Sequence, residues 1–188
     1  MIYVLIIALV IIISKLIFSK KGVTSNHPNT ASQQSAQDGY LGLRNMAFEM
    51  TPEKLGLSLS KNETLAFGII MEWQMSGAIV TMVSYCTGDA SMYFSNGGGF
   101  IGGGQHENVN RATKLFVNKA QDYLNKTAKS DSTDLPKNGA IVFYLLTTTG
   151  IFSHSEEMKD IEQGNSEWLA LFDEANKVIS EFRILSKK

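Results

Sequence analysis

The chain has 188 residues, with 17 Lys and Arg against 18 Asp and Glu, a formal net charge of −1 and a pI near 6.3. That balance shows no basic stripe that asks for nucleic acid, so no nucleic-acid partner is expected. The single cysteine, Cys86, excludes a disulfide framework and fits a reducing compartment, and the length suffices for one core without metals or disulfides.

The first element is the run MIYVLIIALVIIISKLIF, in which Lys15 is the only charge between Ile2 and Phe18. At a helical rise of about 1.5 Å per residue this stretch spans roughly 25 Å, close to the hydrocarbon thickness of a bilayer. Lys15 lies one turn from its end, where the long stem can snorkel toward the headgroups beside Lys20 and Lys21. A secretory signal would carry positive charge before the apolar core and a small-residue cleavage site after it; neither is present. A helix apolar on all sides at a chain terminus is also a poor core helix. Residues 1–21 are therefore expected to form a single-pass transmembrane anchor, with the membrane contacted through residues 2–18. The lysines flank only its C-terminal side, so the positive-inside rule places the large domain in the cytoplasm.

Residues 22–50 are expected to be a flexible polar tether. The run SKKGVTSNHPNTASQQSAQDG is rich in Ser, Asn, Gln and Thr and has almost no large apolar side chain with which to offset the entropy of ordering.

The globular domain is expected over 51–188. Thr51 can cap a short helix with Pro52 in its first turn, and Gly56 ends it. Leu65 to Trp73 alternates, with Phe67, Ile69, Met71 and Trp73 on one face; Gly77 to Cys86 and Ala90 to Ser95 complete a three-stranded antiparallel meander. The run NGGGFIGGG, Asn96 to Gly104, is a loop or irregular edge in which Phe100 and Ile101 are expected to tuck into the core. From His106 to Leu124 a helix is expected, with Val109, Ala112, Phe116, Ala120, Tyr123 and Leu124 in one stripe and Arg111, Lys114, Asn118 and Gln121 facing away. Ala140 to Thr147 is a central strand and Ile151 to Ser155 its short partner. An acidic loop follows, and a closing helix from Ser166 to Leu185 buries Trp168, Leu171, Phe172, Ala175, Val178, Ile179 and Phe182. The fold class is α+β: a mostly antiparallel five-stranded sheet, β-β-β-α-β-β-α, with helices packed on it, after one N-terminal transmembrane helix. Its outline is similar to the profilin, longin and roadblock group.

The glycine run is the one local motif with chemical content. Gly97 to Gly102 satisfies G-x-G-x-x-G between a strand and a helix, an arrangement that can aim backbone N–H groups at a phosphate. Against this, the preceding unit is a meander rather than the first strand of a βαβ unit. No acidic residue ends a second strand about 20 positions on, and Glu107 would repel an anion. The structural alternative is that glycine here permits positive φ, bulges and close approach of helix to sheet. The candidate ligand-binding residues are Gly97, Gly98, Gly99, Gly102, Gly103, Gly104 and His106. His27, His106 and His154 lack ligands at metal spacing, so no metal site is expected, and no cofactor motif is complete. Cys86 at a strand end reads as a small apolar filler.

The stretch YFSNGGGFIGGGQHENVNRATKLFV, with PKNGAIVFYLLTTTGIF after it, resembles a family of uncharacterised bacterial proteins, small α+β domains with a GGGxIGGGxHExV-like segment. The resemblance covers about 52–185 and implies no activity, cofactor or catalytic residue. The expectation for function is a membrane-anchored, cytoplasm-facing binding or regulatory module of unknown ligand, not an enzyme. The alternatives are a small enzyme or nucleotide- or phosphate-responsive domain using Gly97 to Gly104, and a homotypic assembly domain with a protein partner or a second copy.

Overall fold

The structure is a computed structural model that describes residues 30–75 and 77–187. The anchor expected over 1–21 lies outside the described residues, and among those described no helix is long and apolar enough to cross a membrane.

The fold is α+β, built on one antiparallel sheet with helices on both faces. In chain order its elements are α1 (Thr30–Phe48), β1 (Ala66–Met75), β2 (Ala78–Tyr85), β3 (Ala90–Phe94), β4 (Gly99–Phe100), α2 (Glu107–Gln121), β5 (Ala128–Lys129), β6 (Ala140–Thr147), β7 (Gly150–Glu157), α3 (Met158–Gln163) and α4 (Leu169–Leu185). The sheet has seven strands, not five, in the order β4-β3-β2-β1-β6-β7-β5. Five are the long strands legible in the sequence. The other two are two-residue edge pieces, β4 on β3 and β5 on β7, too short to carry any periodicity.

β1 and β6 form the centre. Met71 lies opposite Met82 on one side and Phe143 on the other, and Ile70 opposite Val83 and Tyr144. β6 is buried at every position, as a central strand covered on both faces must be. The alternation expected in β1 is broken once. A register shift between Ala66 and Gly68 moves Phe67 to the opposite face from Ile69, Met71 and Trp73.

On the first face, α2 and α4 form a layer over Ile69, Met71, Trp73, Met82, Ile141 and Phe143. The stripe of α2 is in the phase expected: Val109, Ala112, Phe116 and Ala120 are buried, and Asn118 is exposed. Gln121 does not face away. Its Oε1 accepts the Ala66 N–H at 2.7 Å and its Nε2 donates to the Thr64 carbonyl, satisfying backbone at the entry of β1. All seven apolar residues expected inside the closing helix segment are buried. The acidic stretch is not a loop: β7 continues to Glu157, and α3 follows with Ile161 buried beneath it.

The second face is covered by α1, and this corrects the tether expected to residue 50. Tyr40, Arg44 and Ala47, at i, i+4 and i+7, are buried against Ile70, Val83, Tyr93 and Tyr144. The folded unit thus begins by Thr30. Composition hid the helix because its sheet-facing stripe holds an arginine and its interior holds Gly39 and Gly42.

Candidate functional site

The seven residues singled out in the sequence do not form one site. They separate at β4. Gly97, Gly98 and Gly99 turn toward α1, where a Cβ on Gly97 would stand 3.3 Å from that of Ala36. Gly99 has φ 147° and pairs with Tyr93; a Cβ there would meet the Met92 carbonyl oxygen at 2.2 Å. Gly103 and Gly104 serve the opposite side. A Cβ on Gly103 would collide with the Phe182 ring at 2.4 Å, and one on Gly104 with Asp89 at 2.7 Å. Gly102, at φ 74°, supplies the left-handed turn between the two halves. Asn110 fixes this loop from α2, its Nδ2 donating to the carbonyls of Thr87 and Gly104. His106 precedes α2 in an extended conformation; it is exposed, and its ring makes no capping bond. Glycine is thus required here by close approach and backbone conformation, which is the role of Gly99, Gly103 and Gly104 at least.

Phe100 stacks on Phe182 with ring centroids 5.5 Å apart, holding β4 to the α4 layer as expected. Ile101 does the reverse. It is 70% exposed and stands at the rim of a groove of about 570 Å³ between the β3–β4 edge and α1. Ser35, Ala36, Gly39, Tyr40 and Leu43 form the α1 wall, Tyr93 and the first glycine triplet the other. Among the described residues, no Asp, Glu, His, Lys or Arg lines it.

Beneath α1 lies a buried polar network that no sequence motif marked. The Arg44 guanidinium is bidentate on Glu72, Nε to Oε1 at 2.7 Å and Nη2 to Oε2 at 2.8 Å. Arg44 is 4% exposed and Glu72 fully buried in the middle of β1. Thr81, opposite Glu72 in the register, donates its hydroxyl to Oε1 at 2.6 Å. The Tyr40 hydroxyl must therefore be the donor in its 2.8 Å bond to Thr81. Nη2 also donates to the Thr133 carbonyl, and the guanidinium lies 4.7 Å from the centroid of Phe48. Burial works against the Arg44 charge, but the hydrogen bonds and charge of Glu72 outweigh it and hold its pKa above the usual value. Burial pushes the Tyr40 and Tyr144 hydroxyls up to about 12 each, with the Glu72 charge adding to it. The arrangement is a complete ion pair with satisfied oxygens. It offers no free acid, base or nucleophile, and it locks α1 and the 133–134 segment onto the sheet.

The remaining candidates have local explanations. Cys86 is half-buried, and burial raises its thiol pKa, away from nucleophile behaviour. His154 is not merely solvated: it stacks on Trp168 at 4.2 Å, with Nε2 3.4 Å from Glu156, and Glu156 in turn accepts from Ser166. The carboxylate stands between Ser166 and His154, so the imidazole cannot take the serine proton. Among the described residues, no three His, Cys, Asp or Glu come together as a metal set.

The fold and groove define an α+β domain with an apolar concavity on one helix-covered face. Comparison with family models, with curated proteins and with solved structures gives no match.

Proposed function

We propose that the chain is a membrane-anchored, cytoplasm-facing binding or regulatory module. The anchor rests on the apolar run Ile2 to Phe18, whose only charge is Lys15 one turn from its end, and on the lysines at 15, 20 and 21, which set its orientation. The observation that carries the binding reading is the groove beside α1: it is apolar, holds no charged side chain among the described residues, and has a wall of glycines that lets a partner approach the backbone. The resemblance of the Tyr93–Val117 segment to small bacterial α+β domains of unassigned activity accords with this reading.

The test is topological. With Cys86→Ser to remove the native thiol, a cysteine placed at Ser25, between the apolar run and α1, should resist a membrane-impermeant maleimide in intact cells and react after permeabilisation. Ready labelling of intact cells would put the domain outside. A separate measurement addresses the phosphate-responsive alternative. Inorganic phosphate or a nucleotide that raises the melting temperature by mass action would favour it, particularly if Gly102→Ala abolished the rise.

A further inference from the structure

We infer that the α1 face of the domain, led by Ile101, rests on the lipid surface of the bilayer that holds residues 2–18. This rests on the anchor reading above and adds to it the orientation of the domain and the residue that touches lipid.

The reach of residues 19–29 sets where α1 begins relative to the bilayer. Residues 19–29 are about eleven positions long, and α1 begins at Thr30. Eleven residues extend to no more than about 38 Å, and a coil of that length averages nearer 18 Å. A body of this size has a radius of gyration of about 15 Å, so it is roughly twice as wide as the coil's average reach. The start of α1 is therefore held at the membrane side, and the α2–α4 layer is kept away from it by the thickness of the sheet.

That side presents an apolar tip on an uncharged loop. From Ala90 to Gln105 the chain carries no charged residue, and Ile101 stands out of it 70% exposed between two glycine triplets. Opposite it, α1 offers Ser35, Ala36 and Gly39 to the groove, and along its other flank Leu135 is 41% exposed beside Gln33 and Gln37. An apolar tip on an uncharged, main-chain-rich loop enters a headgroup layer without dehydrating an ion, and it gains the transfer of its side chain. On the far face, Leu115 and Ile184 are also exposed, but on helices α2 and α4 that carry Lys114, Asp173, Lys177 and Glu181, whereas Asp38 is the one exposed charge between Thr30 and Phe48 on α1. The charges on α2 and α4 suit water.

The experiment reconstitutes the full chain in vesicles of phosphatidylcholine with phosphatidylglycerol, some of whose acyl chains are brominated at a shallow position. Ile101→Trp and Leu115→Trp are compared with the parent, whose Trp73 and Trp168 are buried and serve as a common background. The expected result is that all three chains float with the vesicles. Ile101→Trp emits to the blue and loses intensity to the brominated lipid beyond the parent's loss, while Leu115→Trp loses no more than the parent. Flotation with no excess loss at 101, or with equal loss at 115, would overturn the orientation and leave the anchor standing. Failure to float would remove the anchor and this inference with it. A blue shift at 101 without quenching, growing with the protein-to-lipid ratio, would mean a second copy covers the face, and would also overturn it. A nitroxide on Ile101→Cys, in a Cys86→Ser background, reads the same depth by an independent route should the tryptophan variant misfold.

Discussion

On one face of the sheet, α2 and α4 lay down Phe116, Val117, Leu171, Phe172 and Phe182; on the other, α1 lays down Tyr40, Arg44 and Ala47. The first layer is held by area and shape, and its helices are found from apolar periodicity. The second is an apolar cluster, with Leu41, Leu43 and Phe48 of α1 packed against it, that also holds one buried ion pair and two hydroxyls, under a helix whose outward side is small or polar apart from Met46. Hydrophobic contact is tolerant of imperfect alignment and charge pairing is not. The first face therefore supplies bulk stability, and the second fixes where α1 sits, and with it the groove.

The largest effects should come from breaking each layer once. Phe116→Ala empties a fully buried ring site and should cost about 3–5 kcal/mol in urea unfolding. Arg44→Ala should cost a similar 3–5 kcal/mol, because it strands the buried Glu72 carboxylate. The two are separated by rescue. Adding Glu72→Leu to Arg44→Met should recover most of the loss, since an apolar pair of similar volume removes the unpaired charge, whereas it should do nothing for Phe116→Ala. If Glu72→Leu fails to rescue, the pair is not what holds the second face.

This contrast also explains what could be read from the sequence. β1, β2, β3, β6, α2 and α4 are legible because each buries several side chains along its length, and β7 because the turn at Thr148–Gly150 returns the chain beside β6. β4 and β5 are not, since each is two residues long and is ordered by its neighbour. α1 was missed because its decisive residue is charged: Arg44 reads as solvent-facing until Glu72, 28 positions later, is placed beneath it. Glu72 is the one charged residue from Leu65 to Met75, and that it lies opposite Thr81 follows only from the β1–β2 register. At the candidate site, the requirement for glycine was legible. That the two triplets serve opposite faces of the sheet was not, nor that Ile101 points outward, because which way a residue points at an edge strand depends on the pairing of Gly99 with Tyr93.

A smaller effect tests the hydroxyl part of the network. Tyr40 and Tyr144 have hydroxyl pKa values raised to about 12 from 10.0 in the unfolded chain, so the folded state prefers the neutral phenol. Stability from this source is whole below pH 10 and is lost as pH rises from 10 toward 12. Midpoints of urea unfolding should fall over that window and hold steady from pH 7 to 9. Tyr40→Phe should cost about 1 kcal/mol at pH 7 through the lost bond to Thr81, and should flatten the alkaline decline. An unchanged slope in Tyr40→Phe would place the alkaline titration elsewhere.

The smallest effect sharpens the account of what lies over α1. Gly39 and Gly42 both sit inside this helix, and a Cβ on either would meet nothing within 4 Å among the described residues. Each should therefore gain from alanine substitution, by about 0.5–1 kcal/mol, through helix propensity and a less entropic unfolded chain. Gly39 lines the groove and Gly42 does not, so the pair forms an internal control. In detergent, where no bilayer is present, both variants should melt higher by similar amounts. In vesicles Gly42→Ala should keep its gain. If Gly39→Ala loses its gain there, a methyl group at position 39 is meeting something that the bilayer brings to the groove. If Gly39→Ala fails to stabilise even in detergent while Gly42→Ala succeeds, the obstacle is protein, and either the apolar run 2–18 or a second copy already occupies that side of α1.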